Sequence, residues 1–469
     1  MEASTSSAKA MLYDTDKGVL KVESITYSKR ICKNGIQDPE SIYQTVLSIG
    51  KRVSAGADIT AVAISATWHN LLITDQNLRP KTKAFTWNFM DAMKTAEKLR
   101  QSEDLCSRIY HNTGCMPHGT YPPYRYIYLK ENGYRPEPND VILNQGAYMF
   151  ARLTGVIRDS KSMASGNGWL NINQLDWDRE ILSFVDLTPA NFPDLGEYDD
   201  YCSLLGDAAD MLGISAKIPV VLAHPDGALN QLSAGGIAEN VMTLSVGTSA
   251  AIRLAVKSPY LPDRPSTWCY YMPGSWLAGA AIAGAANCVD WFVDEVMDNC
   301  YDYKTLDRLA ANEMGELPVF MPFLFGERCP GWNDMRLGGF QMIKGTHNAP
   351  ALYKAILMGV CFNLLQCYEV LTSGIGIPNR ICVSGGIMQS PVWLQMLSDI
   401  FNSPLHIAST QHASLLGGAY LALFASGEIH SIQQIFGSLV DNVLEPQVNM
   451  IEYYYQQYQV YLEAYQKTF

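Results

Sequence analysis

His224 to Arg253 reads HPDGALNQLSAGGIAENVMTLSVGTSAAIR. It holds a carboxylate, Asp226, followed by Gly227. An apolar run, Val241-Met242-Thr243-Leu244-Ser245-Val246, then breaks at Gly247-Thr248-Ser249 and resumes as Ala250-Ala251-Ile252-Arg253-Leu254. Two β-forming runs around a small-residue turn predict a hairpin. Its tip has little side-chain bulk, so backbone N–H groups and two hydroxyls can approach a phosphate. Taken singly, Asp226 also fits a solvent loop and the hairpin an ordinary tight turn. A carboxylate base and a phosphate grip in one stretch are what phosphoryl transfer asks for, and related pieces recur along the chain.

Upstream, Ser4-Thr5-Ser6-Ser7 leads into an apolar strand that includes Met11-Leu12-Tyr13. Asp14 to Gly18 predicts a turn, with Val19-Leu20-Lys21-Val22 as the partner strand. This layout matches the Gly247 hairpin. Two hairpins of one design predict a duplicated domain with one phosphate-gripping turn from each half. Ile59 to Ile64 reads as a strand ending in Ser65-Ala66-Thr67-Trp68-His69-Asn70. Polar and aromatic groups at a strand end in an α/β protein lie where ligands bind. The alternative makes Trp68 a core ring and His69 a surface residue. Leu71 to Thr74 is the next strand. Tyr110 to Tyr126 is too rich in Pro and Gly for a long helix and reads as a cleft-lining loop or a long connection. Ala147 to Thr154 predicts a helix ended by Gly155. Asp159 to Asn171 predicts a polar loop. Leu205 to Leu212 predicts a helix, and Ile218 to Ala223 the strand that delivers Asp226. A boundary at Ala234-Gly235-Gly236 divides the chain into residues 1–235, 236–440 and a helical tail, 441–469.

Downstream, Ser275 to Asp290 is small and apolar and reads as a helix start packed closely on a ligand or another backbone. Val319 to Trp332 reads as a strand entering a loop, where Glu327 and Arg328 suggest a structural ion pair. Arg380 to Gly386 predicts a strand ending in a diglycine turn. Ser390 then suits a helix N-cap and Pro391 the first helical position. Glycines before a helix N-terminus make a platform for a nucleotide or phosphate. Ser414-Leu415-Leu416-Gly417-Gly418-Ala419 opens another helix. In the tail, Tyr454, Tyr458, Tyr461 and Tyr465 share one helical face, for packing or a dimer contact.

Composition narrows the function. With 469 residues, the chain is long enough for two or three domains. A net charge of −12 argues against nucleic acid and anionic lipid as partners. Eleven scattered cysteines with no CxxC pair read as reduced cytosolic thiols, which places the protein in the cytoplasm. The histidines show no HxxxH or HExxH spacing that would suggest a first-row metal site. The most apolar long run, Ala351 to Leu371, is interrupted by Lys354, Asn363, Gln366 and Glu369, and reads as a buried core helix.

In order and spacing these stretches resemble the FGGY carbohydrate kinases. The matching pieces are Ser4–Leu12, Thr67–Asn70, Leu153–Gly155 with Asp159–Gly168, Asp226–Gly227, Gly247–Ser249, Phe325–Trp332, Ser384–Trp393 with Asp399, and Gly417–Ala419. LTG followed by ASGNGWLNI, and FGERCPGW, are most similar to the gluconokinase branch, with xylulokinases next. The resemblance implies an α/β fold of two actin-like ATPase (ribonuclease H-like) domains with a central cleft. It implies Asp226 as the general base toward a sugar hydroxyl, and Trp68 and His69 on the polyol. Gly247, Thr248 and Ser249 would hold the β- and γ-phosphates. Gly385 and Gly386 would flank the nucleotide, with Ser390 heading the helix behind them. ATP with Mg²⁺ would be the phosphoryl donor.

The sequence departs from the family pattern in five ways. The chain begins too late for a full first strand, Glu2 stands where an Asp helps to place the metal, and Ser4 stands for a Gly. Phe89 replaces the Asp of a Trp-x-Asp pattern, and Ala285-Ala286 a Gly pair. The readings are therefore ordered. A gluconate kinase comes first and a D-xylulose kinase second. A diverged, non-catalytic sugar- or nucleotide-binding homologue and an ATPase without a sugar substrate follow.

Overall fold

Two parallel-cored sheets, one in each half, carry the fold. The computed structural model describes residues 1–237, 240–408, 412–431 and 440–467. The strands of the two sheets are numbered in chain order. In the first half they are β1 (Glu2–Ala3), β2 (Ser7–Asp14), β3 (Gly18–Thr26), β4 (Ser65–Ala66) and β5 (His224–Pro225), in the spatial order β5-β4-β1-β2-β3. The second half has β6 (Val241–Val246), β7 (Ala250–Val256), β8 (Trp268–Met272), β9 (Ser275–Ile282), β10 (Arg380–Gly385), β11 (Leu405–Ala408) and β12 (Val440–Leu444). Their order is β8-β9-β7-β6-β10-β11-β12.

The halves repeat one topology. β1 lies parallel to β4 and antiparallel to β2. β6 lies parallel to β10 and antiparallel to β7. So β3-β2-β1-β4-β5 corresponds to β9-β7-β6-β10-β11, a mixed α/β arrangement consistent with the actin-like ATPase fold. The register corrects the sequence reading of the repeat. The counterpart of the Gly247–Ser249 turn is Ser4–Ser6, between β1 and β2, and not Asp14–Gly18. The latter joins β2 to β3, and its Asp14 side chain accepts from Asp16 N and Lys17 N as a self-contained surface turn.

Burial explains the strand character. β6 is mostly apolar because the sheet is covered on both faces, and five of its six residues are buried. The 27-residue helix Ala349–Ile375 supplies part of that cover. It is long and apolar enough to cross a membrane, yet 78% of its most apolar window is buried inside the chain. On it packs the last helix, Val448–Lys467, through buried Tyr454, Tyr458 and Tyr461. Tyr458 donates to Glu369 at 2.7 Å and Tyr461 to Gln366 at 3.3 Å. The tyrosine stripe therefore packs within the chain and does not itself supply a dimer contact.

Several local expectations shift. Ser275–Asp290 is first a strand, β9, and only from Ala286 a helix. Its small residues make room for a neighbour, because a Cβ on Gly279 would enter the Trp268 ring. The Ile59–Ile64 run pairs only at Val62, and its named strand is Ser65–Ala66. Asp159–Asn171, expected as a polar loop, holds the short helix Lys161–Ser165 and is largely buried. Tyr110–Tyr126 contains the end of one helix, Glu103–Thr113, and the start of another, Pro122–Glu131. Paired prolines open the second, where missing N–H groups cost nothing.

Candidate active site

Three parallel strand ends make the floor of the site. Glu2, Ser65 and His224 share one register level, and Ala3, Ala66 and Pro225 the next. Ser4, Thr67 and Asp226 therefore leave the sheet side by side. Asp226 begins the helix Asp226–Ser233, and its Oδ1 accepts from Gly227 N at 2.8 Å. Burial, reinforced by the Glu2 charge, raises its pKa to about 6, while Arg253, the Gly227 N–H and Lys9 oppose the rise. A carboxylate poised near neutrality is suited to taking a proton.

Trp68 and Arg253 enclose this carboxylate. A Cβ on Gly227 would lie 2.7 Å from Trp68 Cζ3 and 3.3 Å from Arg253 Nε, which is why the residue after Asp226 has no side chain. The indole is clamped from the other side as well. Its Nε1 donates to Ser162 O at 3.1 Å, and a Cβ on Gly166 would come within 2.5 Å of its Cδ1. The ring is thus both core and wall, so the two sequence readings of Trp68 merge.

His69 follows with φ +58°, a left-handed conformation that a non-glycine residue rarely adopts and that clusters at functional sites. Asn167 Oδ1 holds its backbone N–H at 2.9 Å, and Arg125 Nη1 donates to its carbonyl at 2.5 Å. The ring Nδ1 meets the Gly166 carbonyl, which assigns the proton to Nδ1 and leaves Nε2 as an acceptor. Burial, then the nearby Arg328 charge, drives the His69 pKa well below its usual value, so the ring is neutral. Tyr121 and Tyr270 stand at 5.0 and 5.6 Å from it and share a 2.7 Å hydroxyl hydrogen bond.

Across the cleft, the Gly247-Thr248-Ser249 turn joins β6 to β7. The Gly247 and Thr248 carbonyls accept from Ala286 N at 2.9 Å and Asn287 N at 3.2 Å, so Ala286-Asn287 brace the turn. A Cβ on Gly247 would meet nothing nearer than 3.9 Å, which leaves the tip open. Gly385 faces Val246 in register and has φ +97°. A Cβ there would strike the Val246 carbonyl oxygen. The diglycine turn therefore crosses directly over the end of β6, and Gly385 and Gly386 are exposed beside the Gly247 turn. Ser390 lies one short turn further on and accepts from Trp393 N at 3.1 Å, capping the helix Pro391–Phe401.

Glu2 is buried and engaged. Burial acts to raise its pKa, but an ion pair with Lys9 at 2.8 Å and hydrogen bonds from Ser414 and Ser65 outweigh burial and hold it below the usual range. Among the described residues no three His, Cys, Asp or Glu side chains could hold a metal by themselves. A Mg²⁺ brought in on phosphates takes only one or two carboxylates. Glu2, whose charge acts on Asp226 beside it, fits that role.

The structure thus groups Asp226, Trp68 and His69 on one side, and Gly247–Ser249, Gly385 and Gly386 on the other. Phe89 is not at the site. It is buried against Phe85 and Tyr128, at 5.0 and 5.4 Å. Four site residues carry no local sequence signal: Tyr121, Arg253, Tyr270 and Arg328. Arg253 sits on β7, where its Nη1 donates to Ser245 Oγ at 3.1 Å and its Nε is buried without a hydrogen bond.

Residues 2–233 match the N-terminal domain, and residues 242–426 the C-terminal domain, of the FGGY family of carbohydrate kinases. The gluconokinase of Bacillus subtilis (strain 168) is 28% identical over 459 residues, covering 93% of this chain and 88% of its own length. The xylulose kinase of Escherichia coli (strain K12) is 27% identical over 453 residues, covering 94% and 92%. Among solved structures, the gluconate kinase of Lactobacillus acidophilus superimposes with a TM-score of 0.93 at 25% identity, covering 99% of this chain and 96% of that one.

Proposed function

The chain belongs to the FGGY family of carbohydrate kinases, and from that premise we propose that it transfers the γ-phosphoryl group of ATP to the terminal hydroxyl of gluconate, giving 6-phosphogluconate, with Asp226 as general base. The observation that supports this most is the position of Asp226. It is a buried carboxylate at a helix start, with its pKa raised to about 6, beside Arg253 of the strand that follows the Gly247 turn. In this reading residues 1–235 form the sugar side and residues 236–440 the nucleotide side, with 441–469 as a tail whose helix Val448–Lys467 packs on the latter.

Each group then has a task. His69, through Nε2, and the Trp68 ring orient the polyol. Asp226 accepts the hydroxyl proton as the oxygen–phosphorus bond forms and the bond to the ADP oxygen breaks. N–H groups and hydroxyls of Gly247, Thr248 and Ser249 hold the β- and γ-phosphates, and Arg253 lies close enough to offset charge that develops there. Gly385 and Gly386 flank the nucleotide, with Ser390 fixing the helix behind them. Mg²⁺, when bound with ATP, would neutralise phosphate charge, and Glu2 is the carboxylate that would help to hold it.

D-Xylulose is the second acceptor to consider, since xylulose kinase is matched at nearly the same identity as gluconokinase. ADP release from ATP and Mg²⁺ across a panel of sugars and sugar acids tests the reading. Turnover that requires gluconate supports it. A requirement for D-xylulose favours the second acceptor. Binding without turnover would mark a non-catalytic homologue, and hydrolysis independent of any sugar a plain ATPase.

A further inference from the structure

Arg125 is fully buried, and no carboxylate among the described residues pairs with it. It stands in the first turn of the helix Pro122–Glu131, at the positive end of the helix dipole, where a cation is disfavoured. A buried charge so placed needs other partners. Each of its hydrogen bonds goes to a main-chain carbonyl. Nε donates to Gly119 O at 3.0 Å, Nη1 to His69 O at 2.5 Å and to Phe85 O at 3.0 Å, and Nη2 to Thr120 O. The guanidinium thus gathers three segments remote in sequence, and the planar fork of arginine is what reaches all of them.

Three of its four anchors are fixed by other contacts as well. Phe85 O also accepts from Leu71 N at 2.9 Å, and Phe85 N donates back to Leu71 O at 2.8 Å. Gly119 packs so closely on the helix Met93–Arg100 that a Cβ would lie 2.8 Å from Met93 N. Thr120 N donates to His118 Nδ1 at 3.1 Å, which leaves His118 Nε2 to donate to Asp334 Oδ1 at 2.8 Å. His69 is the fourth anchor and the strained one. Its φ of +58° is a conformation that persists only where the surroundings over-determine it. Two bonds do so, one on each of its peptide groups. Asn167 Oδ1 accepts from its N–H at 2.9 Å, and Arg125 donates to its carbonyl.

We propose that Arg125 is a positioning residue for the acceptor: it fixes His69 in its left-handed conformation and so aims Nε2 of that ring at the polyol. The assignment rests on the kinase reading above, in which His69 meets the sugar, and it holds for gluconate and D-xylulose alike. With no exposed atom of its own, Arg125 meets neither substrate and acts through His69. When the guanidinium is lost, the His69 carbonyl loses its donor. The residue then relaxes toward the ordinary extended region, and the ring leaves its place beside Trp68.

The test compares wild type, Arg125→Gln and Arg125→Lys. It measures KM for ATP, KM for whichever acceptor of the sugar panel the wild type uses, and binding of that sugar by calorimetry. Arg125→Gln is expected to raise the acceptor KM by roughly 10- to 100-fold, with sugar affinity falling alongside, and to change KM for ATP by less than about twofold. Arg125→Lys, which keeps the charge and loses the fork, is expected to recover part of the loss. Unfolding midpoints confirm that each variant is folded, and Arg125→Lys carries the test if Arg125→Gln does not fold. Equal rises in both KM values overturn the assignment. So does a lowered unfolding midpoint with unchanged sugar affinity, the mark of a merely structural arginine; both results leave the kinase reading intact. A wild type that binds a sugar and transfers nothing defeats the kinase reading, and the sugar affinities of the variants then decide Arg125 alone. A wild type that binds no sugar of the panel overturns both.

Discussion

Asp226 carries both the chemistry and a cost. Its pKa of about 6 lies above the 3.8 of an unperturbed aspartate, first because it is buried and next because Glu2 repels its charge. As a base it must be ionised, so kcat/KM is expected to rise with pH and level off above about 6. Glu2→Gln removes the like charge, so the acid limb should move to lower pH whatever rate remains; a limb that stays in place would show that Glu2 does not act on Asp226. The sequence makes Asp226, Trp68 and His69 legible, because each stands at the end of a readable strand. It hides Arg253 and Arg328, because what fixes them is distant. The residues that take Glu327 away from Arg328 are Arg336, further along the loop, and Tyr465, in the last helix. No local pattern announces such partners.

At the level of elements, two turns over the end of one strand define the phosphate side. Gly385 is the tightest point, with a left-handed φ of +97° and the Val246 carbonyl where a Cβ would go. Gly385→Ala should cost about 2 kcal/mol or more in urea unfolding and raise KM for ATP more than KM for the sugar. A variant of wild-type stability and KM would mean that the diglycine turn is slack. The strands and caps around these turns were readable, since alternation, glycine and Ser-Pro signals are local. The pairing of elements was not. Ser4–Ser6, with no glycine, gave no turn signal beside Asp14–Gly18, and only the register of β1 on β2 identifies it as the repeat of Gly247–Ser249. Small residues in Ser275–Asp290 likewise read as helix, whereas the ring of Trp268 on the neighbouring strand is what requires them.

Over the whole molecule, the halves are tied at several places. Cys269 N donates to Gly114 O at 3.0 Å and Tyr271 N to Ser165 Oγ at 2.9 Å. Asp334, from the second half, binds His118 and Arg100 from the first. Burial opposes ionisation of Asp334, but His118 and Arg100 more than compensate and lower its pKa to about 2. A carboxylate depressed in this way stabilises the fold above its unfolded pKa, and the contribution fades as pH falls from about 4 toward 2. Asp334→Asn should therefore lose roughly 2 kcal/mol at neutral pH, a gap that closes in acid. An unchanged pH dependence of stability would show that this bridge does not hold the halves.

The most direct test of the account is single-turnover phosphoryl transfer to gluconate by wild type and Asp226→Asn, with ATP affinity measured on the same samples. The account predicts that the substitution abolishes transfer and leaves ATP affinity nearly intact, because Asp226 meets the acceptor and not the nucleotide. Transfer at the wild-type rate, or loss of ATP binding in a folded variant, would contradict it.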